Sequence, residues 1–118
     1  MNTTISSKSN YEISSVRQVV RTSEVWVREM TVESGQEVPW HKHTDVQDYC
    51  YGLKGTTLVE MLDAEGKRTE LRLEPGASCV LTSGTPHRLT CAQGRQATYL
   101  LIQQGKYDFI KVPQPAVA

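Results

Sequence analysis

From about residue 24 onwards apolar residues recur every second position, and no segment sustains a helical period. A period of two is the signature of a strand, because successive side chains point to opposite faces of a sheet. The stretch 24–32 reads Glu-Val-Trp-Val-Arg-Glu-Met-Thr-Val, is rich in β-branched and aromatic residues, and sets Trp26, Arg28, Met30 and Val32 on one face. Gly35 ends it. Residues 38–43 form a short strand begun by Pro39, whose missing N–H is tolerated at a strand start or edge. Further strands are expected over 49–53, 56–62, 67–73, 78–81, 87–91, 97–103 and 107–112. Gly55, Asp63-Ala64-Glu65-Gly66, Pro75-Gly76 and Ser83-Gly84-Thr85-Pro86 supply the turns between them. Segment 97–103 is the most continuously apolar and is expected to be buried on both faces. Many short strands with regularly spaced turns imply an all-β sandwich or barrel.

A chain of 118 residues is the size of one domain. We place it over 13–112, between a Ser/Thr/Asn-rich flexible tail over 1–12 and a Pro-rich tail over 113–118. Acidic and basic residues balance at 13 each, so nothing favours a counterion-driven grip on nucleic acid or an anionic membrane. A small neutral or weakly charged ligand suits such a chain better. The first twelve residues lack the apolar run of a signal peptide, and the longest apolar run, 99–102, is far short of a membrane span. The three cysteines, Cys50, Cys79 and Cys91, are odd in number and irregular in spacing, which fits a reducing compartment. A cytoplasmic location is expected.

The chemistry is concentrated in the chain's three histidines. His41 and His43 are two apart on a strand, so both imidazoles project to one side, close enough to share a metal ion. Asp48 follows at short range, and His87 stands beside a Gly-x-Pro turn on a later strand. Imidazole and carboxylate are the donors expected of zinc and of first-row metals that prefer nitrogen and oxygen, and no thiolate motif competes with them. The other reading of the same pattern is three histidines that merely pack or face solvent. No nucleophile-base pair, phosphate-binding glycine loop, Gly-x-Ser-x-Gly elbow or basic stripe stands out.

The spacing from Gly35 to Gly55 resembles the first motif of the cupin superfamily: glycine, five residues, His-x-His, three or four residues, Glu, six residues, glycine. Asp48 takes the place of the family's Glu. The second motif is matched by Gly76, Gly84 and His87, with Thr82 in place of its proline and Cys91 in place of its asparagine. The two motifs and their spacer cover residues 35–91, about half of the chain. The resemblance implies a double-stranded β-helix, or jelly roll, holding one divalent ion (Fe, Mn, Ni, Co or Zn) inside the barrel. The family's ligands fall on His41, His43, Asp48 and His87. An aspartate reaches about 1.3 Å less far than a glutamate. Asp48 therefore either binds the ion after a backbone adjustment or holds a metal-bound water, and in either role it is a candidate general base.

A metal-dependent enzyme acting on a small, oxygen-rich or chelating molecule is the first functional reading. The resemblance puts dioxygenase-type chemistry ahead of isomerase or lyase chemistry. A non-catalytic module that binds a small ligand is the alternative, since this fold hosts many functions. Cys50 and Cys91 are expected to be buried structural thiols. Trp26 and Trp40 are expected to pack on the outside of the sheets and Asp45 and Gln47 to lie in a loop. Arg28 is expected to be a solvated surface charge, the other reading being a carboxylate anchor for substrate if its face lines the barrel. Tyr49, Tyr51 and Leu53 would form an outward apolar stripe, from which a homodimer is expected.

Overall fold

The computed structural model describes residues 11–115. It contains the strands β1 (Ser15–Arg21), β2 (Val25–Glu33), β3 (Val38–Lys42), β4 (Asp45–Lys54), β5 (Thr57–Leu62), β6 (Arg68–Leu73), β7 (Ser78–Leu81), β8 (His87–Cys91), β9 (Gln96–Lys106) and β10 (Ile110–Lys111). Among the described residues no helix is long and apolar enough to cross a membrane.

The strands form two antiparallel five-stranded sheets, ordered β1-β2-β9-β4-β7 and β10-β3-β8-β5-β6. Alternation explains the core between them. Met30 and Val32 from β2, Cys50 from β4, and Tyr99 and Leu101 from β9 meet Val59 from β5 and Leu89 and Cys91 from β8. This is a jelly-roll sandwich. It corrects the expectation of a closed barrel, because each sheet ends in its own edge strands and no strand ladder joins β7 or β1 to the second sheet.

β9 pairs with both β2 and β4 and is central, yet Leu100 and Ile102 on its outer side are only half-buried, so burial on both faces is partial. β4 begins at Asp45, which puts Asp45 and Gln47 on a strand and not in a loop; continuous pairing with β9 overrides their polar character. The edge strand β1 has no counterpart in the sequence reading, because its second half, with Val19 and Val20 each 44% exposed, shows no buried alternation. The strand expected over 107–112 shrinks to Ile110–Lys111. Residues 1–10 of the expected N-terminal tail and 116–118 of the C-terminal one lie outside the described residues. Tyr11 is half-buried and lays its ring against Phe109, with centroids 5.6 Å apart.

Two irregularities position the site. In β3 the pairing shifts: Val38 opposes Leu89 and His41 opposes His87, so three residues on β3 span two on β8. This bulge, the kind of place where a strand tolerates proline, contains Pro39. It lets Val38 face the apolar core while His41 faces the same interior further along. The second irregularity is Gly105, at φ +123°, where an added Cβ would lie 2.1 Å from the Asp45 carbonyl oxygen. Only glycine allows that approach, and just beyond it the chain leaves β9 and crosses to the second sheet.

Candidate metal centre

The site spans the gap between the sheets. β3 and β8 place His41 and His87 directly opposite each other, and His43 follows His41 on the same side. From the facing sheet, β4 and β9 contribute Asp48 and Gln103, which are also direct partners. His41, His43, Asp48, His87 and Gln103 are each no more than 3% exposed. The donor atoms of the three histidines lie within 4.8 Å of one another.

Each histidine is oriented by a main-chain carbonyl. The Nδ1 of His41 donates to Pro39 O at 2.6 Å, that of His87 to Thr85 O at 2.8 Å, and that of His43 to Asp108 O. With Nδ1 carrying the proton, neutral imidazole leaves Nε2 as a bare lone pair. Two of those Nε2 atoms face the Asp48 carboxylate: Oδ2 is 3.4 Å from His43 Nε2 and 3.3 Å from His87 Nε2. His87 Nε2 is buried without any hydrogen-bond partner. Gln103 supplies an N–H in this region, donating from Nε2 to Asp48 Oδ1 at 3.1 Å. Several buried acceptors therefore converge on one point, which is unfavourable unless a cation occupies it.

The electrostatics agree. Burial, reinforced by the neighbouring His87, lowers the pKa of His41 to about 3, so it is neutral. Burial alone would also lower His43, but the hydrogen bond and charge of Asp48 outweigh it and raise that group. Burial would raise Asp48, yet the imidazoles of His43 and His87 beside it hold its carboxyl well below the usual range.

Residues 107–109 form the cover. Phe109 stacks on His41, with centroids 4.1 Å apart and planes 10° from parallel, and Tyr107 flanks His43 at 5.6 Å. The Asp108 carboxylate accepts from Thr44 N at 2.9 Å and Thr44 Oγ1 at 2.6 Å, which pins the segment whose carbonyl orients His43.

The structure brings together all four residues singled out in the sequence, His41, His43, Asp48 and His87. Two expectations are corrected. Arg28 is buried, 4% exposed, and donates from Nη2 to Gln103 Oε1; it is not a solvated surface charge. Trp26 faces the interior, partnered with Gln103 across the sheet, while Trp40 packs on the outer face with Arg68 5.6 Å from its ring. Cys91 is buried and donates to Arg95 O at 3.2 Å, as a structural thiol would. Cys50 is buried too, and lies directly opposite Cys79, a pairing that requires strand register to see. That thiol neighbour and burial push Cys50 well above its ordinary pKa. Gln103, Tyr107, Asp108 and Phe109 went unread in the sequence; the available signal for Gln103 was its parity with Tyr99 and Leu101.

A family model described as "Cupin domain" matches residues 28–103. No curated protein matches the sequence. Among solved structures, oxalate oxidase in complex with the substrate analogue glycolate is 18% identical, with a TM-score of 0.71, over 82% of this chain and 54% of that one. Bacillus subtilis oxalate decarboxylase, described with Mn(II) centres, is 18% identical with a TM-score of 0.71, over 83% of this chain and 28% of that one. A protein from Thermus thermophilus is 20% identical with a TM-score of 0.69, over 78% of this chain and 83% of that one. At these identities the likeness is one of fold, and the chain spans about half of the oxidase and little more than a quarter of the decarboxylase.

Proposed function

The chain belongs to the cupin family, and from that premise we propose a metal-dependent cupin that holds one divalent first-row transition ion and acts on a small organic molecule. His41, His43, His87 and Asp48 would be the ligands. The observation that carries this reading is the convergence of buried lone pairs, with His87 Nε2 unpartnered and no ordinary donor to satisfy it.

Direct ligation by Asp48 is supported by its distances to two of the three histidines. Two atoms bound about 2.0–2.1 Å from one ion stand about 2.9–3.4 Å apart over octahedral to tetrahedral angles. The 3.3 and 3.4 Å from Asp48 Oδ2 to the His43 and His87 nitrogens are compatible with that spacing. The group whose donor atoms all lie within 4.8 Å of one another is the three histidines, so Asp48 would join the ion by a small adjustment or hold a metal-bound water. Its other oxygen is tied to Gln103, which fixes the carboxylate plane. Three nitrogens and one oxygen suit Fe, Mn, Ni, Co or Zn. When bound, such an ion supplies Lewis acidity and coordination positions open to substrate. The chain's own part is to orient the imidazoles through carbonyls, to exclude water with Phe109 and Tyr107, and to hold a proton acceptor at Asp48.

Dioxygenase-type chemistry is the leading reaction class by family resemblance, with isomerase or lyase chemistry next. The second reading is a non-catalytic module that binds a small ligand. Three free cysteines fit a cytoplasmic location. A homodimer is supported by the outer face of the first sheet, where Val27, Ile102, Tyr49 and Val80 are successive cross-strand partners and Tyr51 and Leu53 lie exposed beside them.

Elemental analysis of protein purified without chelator or histidine tag tests the metal. Near-stoichiometric transition metal in the parent, lost in His87→Ala, is the expected result. A parent that is metal-free and cannot be reconstituted refutes the reading. Oxygen uptake by the Fe(II)-loaded protein separates enzyme from module.

A further inference from the structure

Arg28, Asp48 and Glu60 are buried charged side chains, and their surroundings differ. Glu60 is paired with Arg68 and Arg88, and Asp48 faces the histidines. Arg28 has no carboxylate within ion-pair distance among the described residues, and residues 1–10 and 116–118 contain no acidic side chain. Its guanidinium lies 3.5 Å over the Trp26 ring, and its buried Nε has no hydrogen-bond partner. A buried guanidinium with an idle donor is costly, and a planar oxyanion is what its fork matches best.

Arg28 is not itself part of a groove wall, but side chains packed on it are. A groove of about 260 Å³ is lined by Trp26, Gln103 and Tyr107, with the exposed Arg21 and Lys106 also contributing. Its lining includes two cations and no acidic residue. The groove is thus electrostatically suited to an anion, and its wall includes Gln103, the side chain that touches both Arg28 and Asp48. Gln103 accepts from Arg28 on its oxygen and donates to Asp48 on its nitrogen, which also fixes which way the amide points. The guanidinium and the candidate metal cage are therefore separated by a single amide group.

We infer that this groove and Arg28 form a carboxylate-binding subsite, and that the natural ligand is a small organic acid. Its carboxylate occupies the guanidinium fork while the remainder extends past Gln103 towards His43 and Asp48. Trp26 holds the guanidinium in place by stacking on it, and Arg21 and Lys106 draw the anion in. The second half of the inference, that the rest of the ligand meets a metal ion, rests on the metal reading; the anion subsite does not.

Propionate and propionamide have the same shape, differ in charge and chelate poorly, so they are the probes. The chain has two tryptophans and therefore two indole N–H resonances. That of Trp26 donates to Gln18 Oε1 at 3.0 Å, beside Arg28. Both probes are titrated into 15N-labelled protein, metal-free and loaded with Zn(II), for the parent, Arg28→Gln and Arg28→Lys. Propionate should move the Trp26 resonance and saturate, propionamide should not, and Arg28→Gln should weaken propionate by about tenfold or more, the size of a lost charge-assisted hydrogen bond. If Arg28→Gln does not fold, Arg28→Lys decides the matter, because it keeps the charge and loses the fork; several-fold weakening is expected. Equal responses to the two probes, or propionate binding untouched in the folded variant, overturn the inference. Metal uptake without propionate binding sinks the subsite and leaves the metal reading intact. Arg28-dependent propionate binding without metal uptake does the reverse.

Discussion

Replacing Asp48 by alanine tests the cage most sharply, because the geometry fixes how large the effect must be. A residue that only orients a metal ligand is worth about 10–100-fold in metal affinity, or ~1.4–2.8 kcal/mol. Asp48 should exceed that range, since its Oδ2 stands 3.3 and 3.4 Å from two imidazole nitrogens, the spacing of atoms on one ion. Gln103 should fall within it, since it touches the carboxylate at 3.1 Å through the opposite oxygen. We expect Asp48→Ala to lose more than about 100-fold in affinity, close to His87→Ala, and Gln103→Ala to lose about 10–100-fold. Competition against a chromophoric chelator for Zn(II) or Co(II) gives the three affinities on one scale, and circular dichroism establishes that each variant folds. Asp48→Ala within tenfold of the parent would refute direct ligation. Gln103→Ala losing as much as Asp48→Ala would show that the carboxylate acts only as part of a hydrogen-bonded unit.

Burial raises the phenols of Tyr11, Tyr99 and Tyr107, the last to about 12. A raised folded pKa favours the protonated form, so the stability contributed by Tyr107 is complete below pH 10 and is lost as the pH rises towards 12. For Tyr107 alone this is at most about 2–3 kcal/mol and less after allowance for its partial exposure. Denaturant unfolding followed from pH 9 to 12 should show the fall, and Tyr107→Phe should flatten it; an unchanged slope would count against the burial argument. Tyr49→Asp places a charge in the middle of the outer apolar row and should convert a dimer to a monomer by light scattering, whereas a monomeric parent would remove the dimer altogether. Gly105→Ala should destabilise the fold by about 2 kcal/mol or more, since both the backbone angle and the Asp45 carbonyl oppose a Cβ. An unaltered thermal midpoint would contradict that.

Much of the site was legible because it is written in strand parity. His41 and His43 had to share a face, and His87, Leu89 and Cys91 proved to be buried together as their spacing required. Parity does not say where a face is wet. Arg28 reads on the correct side, with Trp26 and Met30, but as solvated, because the rings that cover it, Trp26 and Tyr107, come together only in the fold. The cover formed by residues 107–109 was hidden by its composition: alternating aromatics look like a strand, and what turns them over the histidines is Gly105 and the hold of Thr44 on Asp108. The bulge in β3 was equally unreadable, since it shows only as an offset between two pairings far apart in the chain. Closure into a barrel was expected from family resemblance, and the hydrogen-bonded edges overruled it.

All three imidazoles are aimed by the peptide backbone, through Pro39, Thr85 and Asp108, and none by a carboxylate side chain. Every amino acid brings a carbonyl, so substitution at those positions leaves the acceptor in place so long as the local path of the chain survives. The choice of tautomer is therefore robust to point mutation in a way that an Asp–His pairing is not. It also forgoes a control knob: without an anionic acceptor behind them, these imidazoles remain weaker donors to an ion. Adjustment of a bound ion's electronic character would then fall to the interior groups, Asp48 and its Gln103 tether. Variation among related chains in how they handle the ion should then appear at those two positions sooner than behind the histidines.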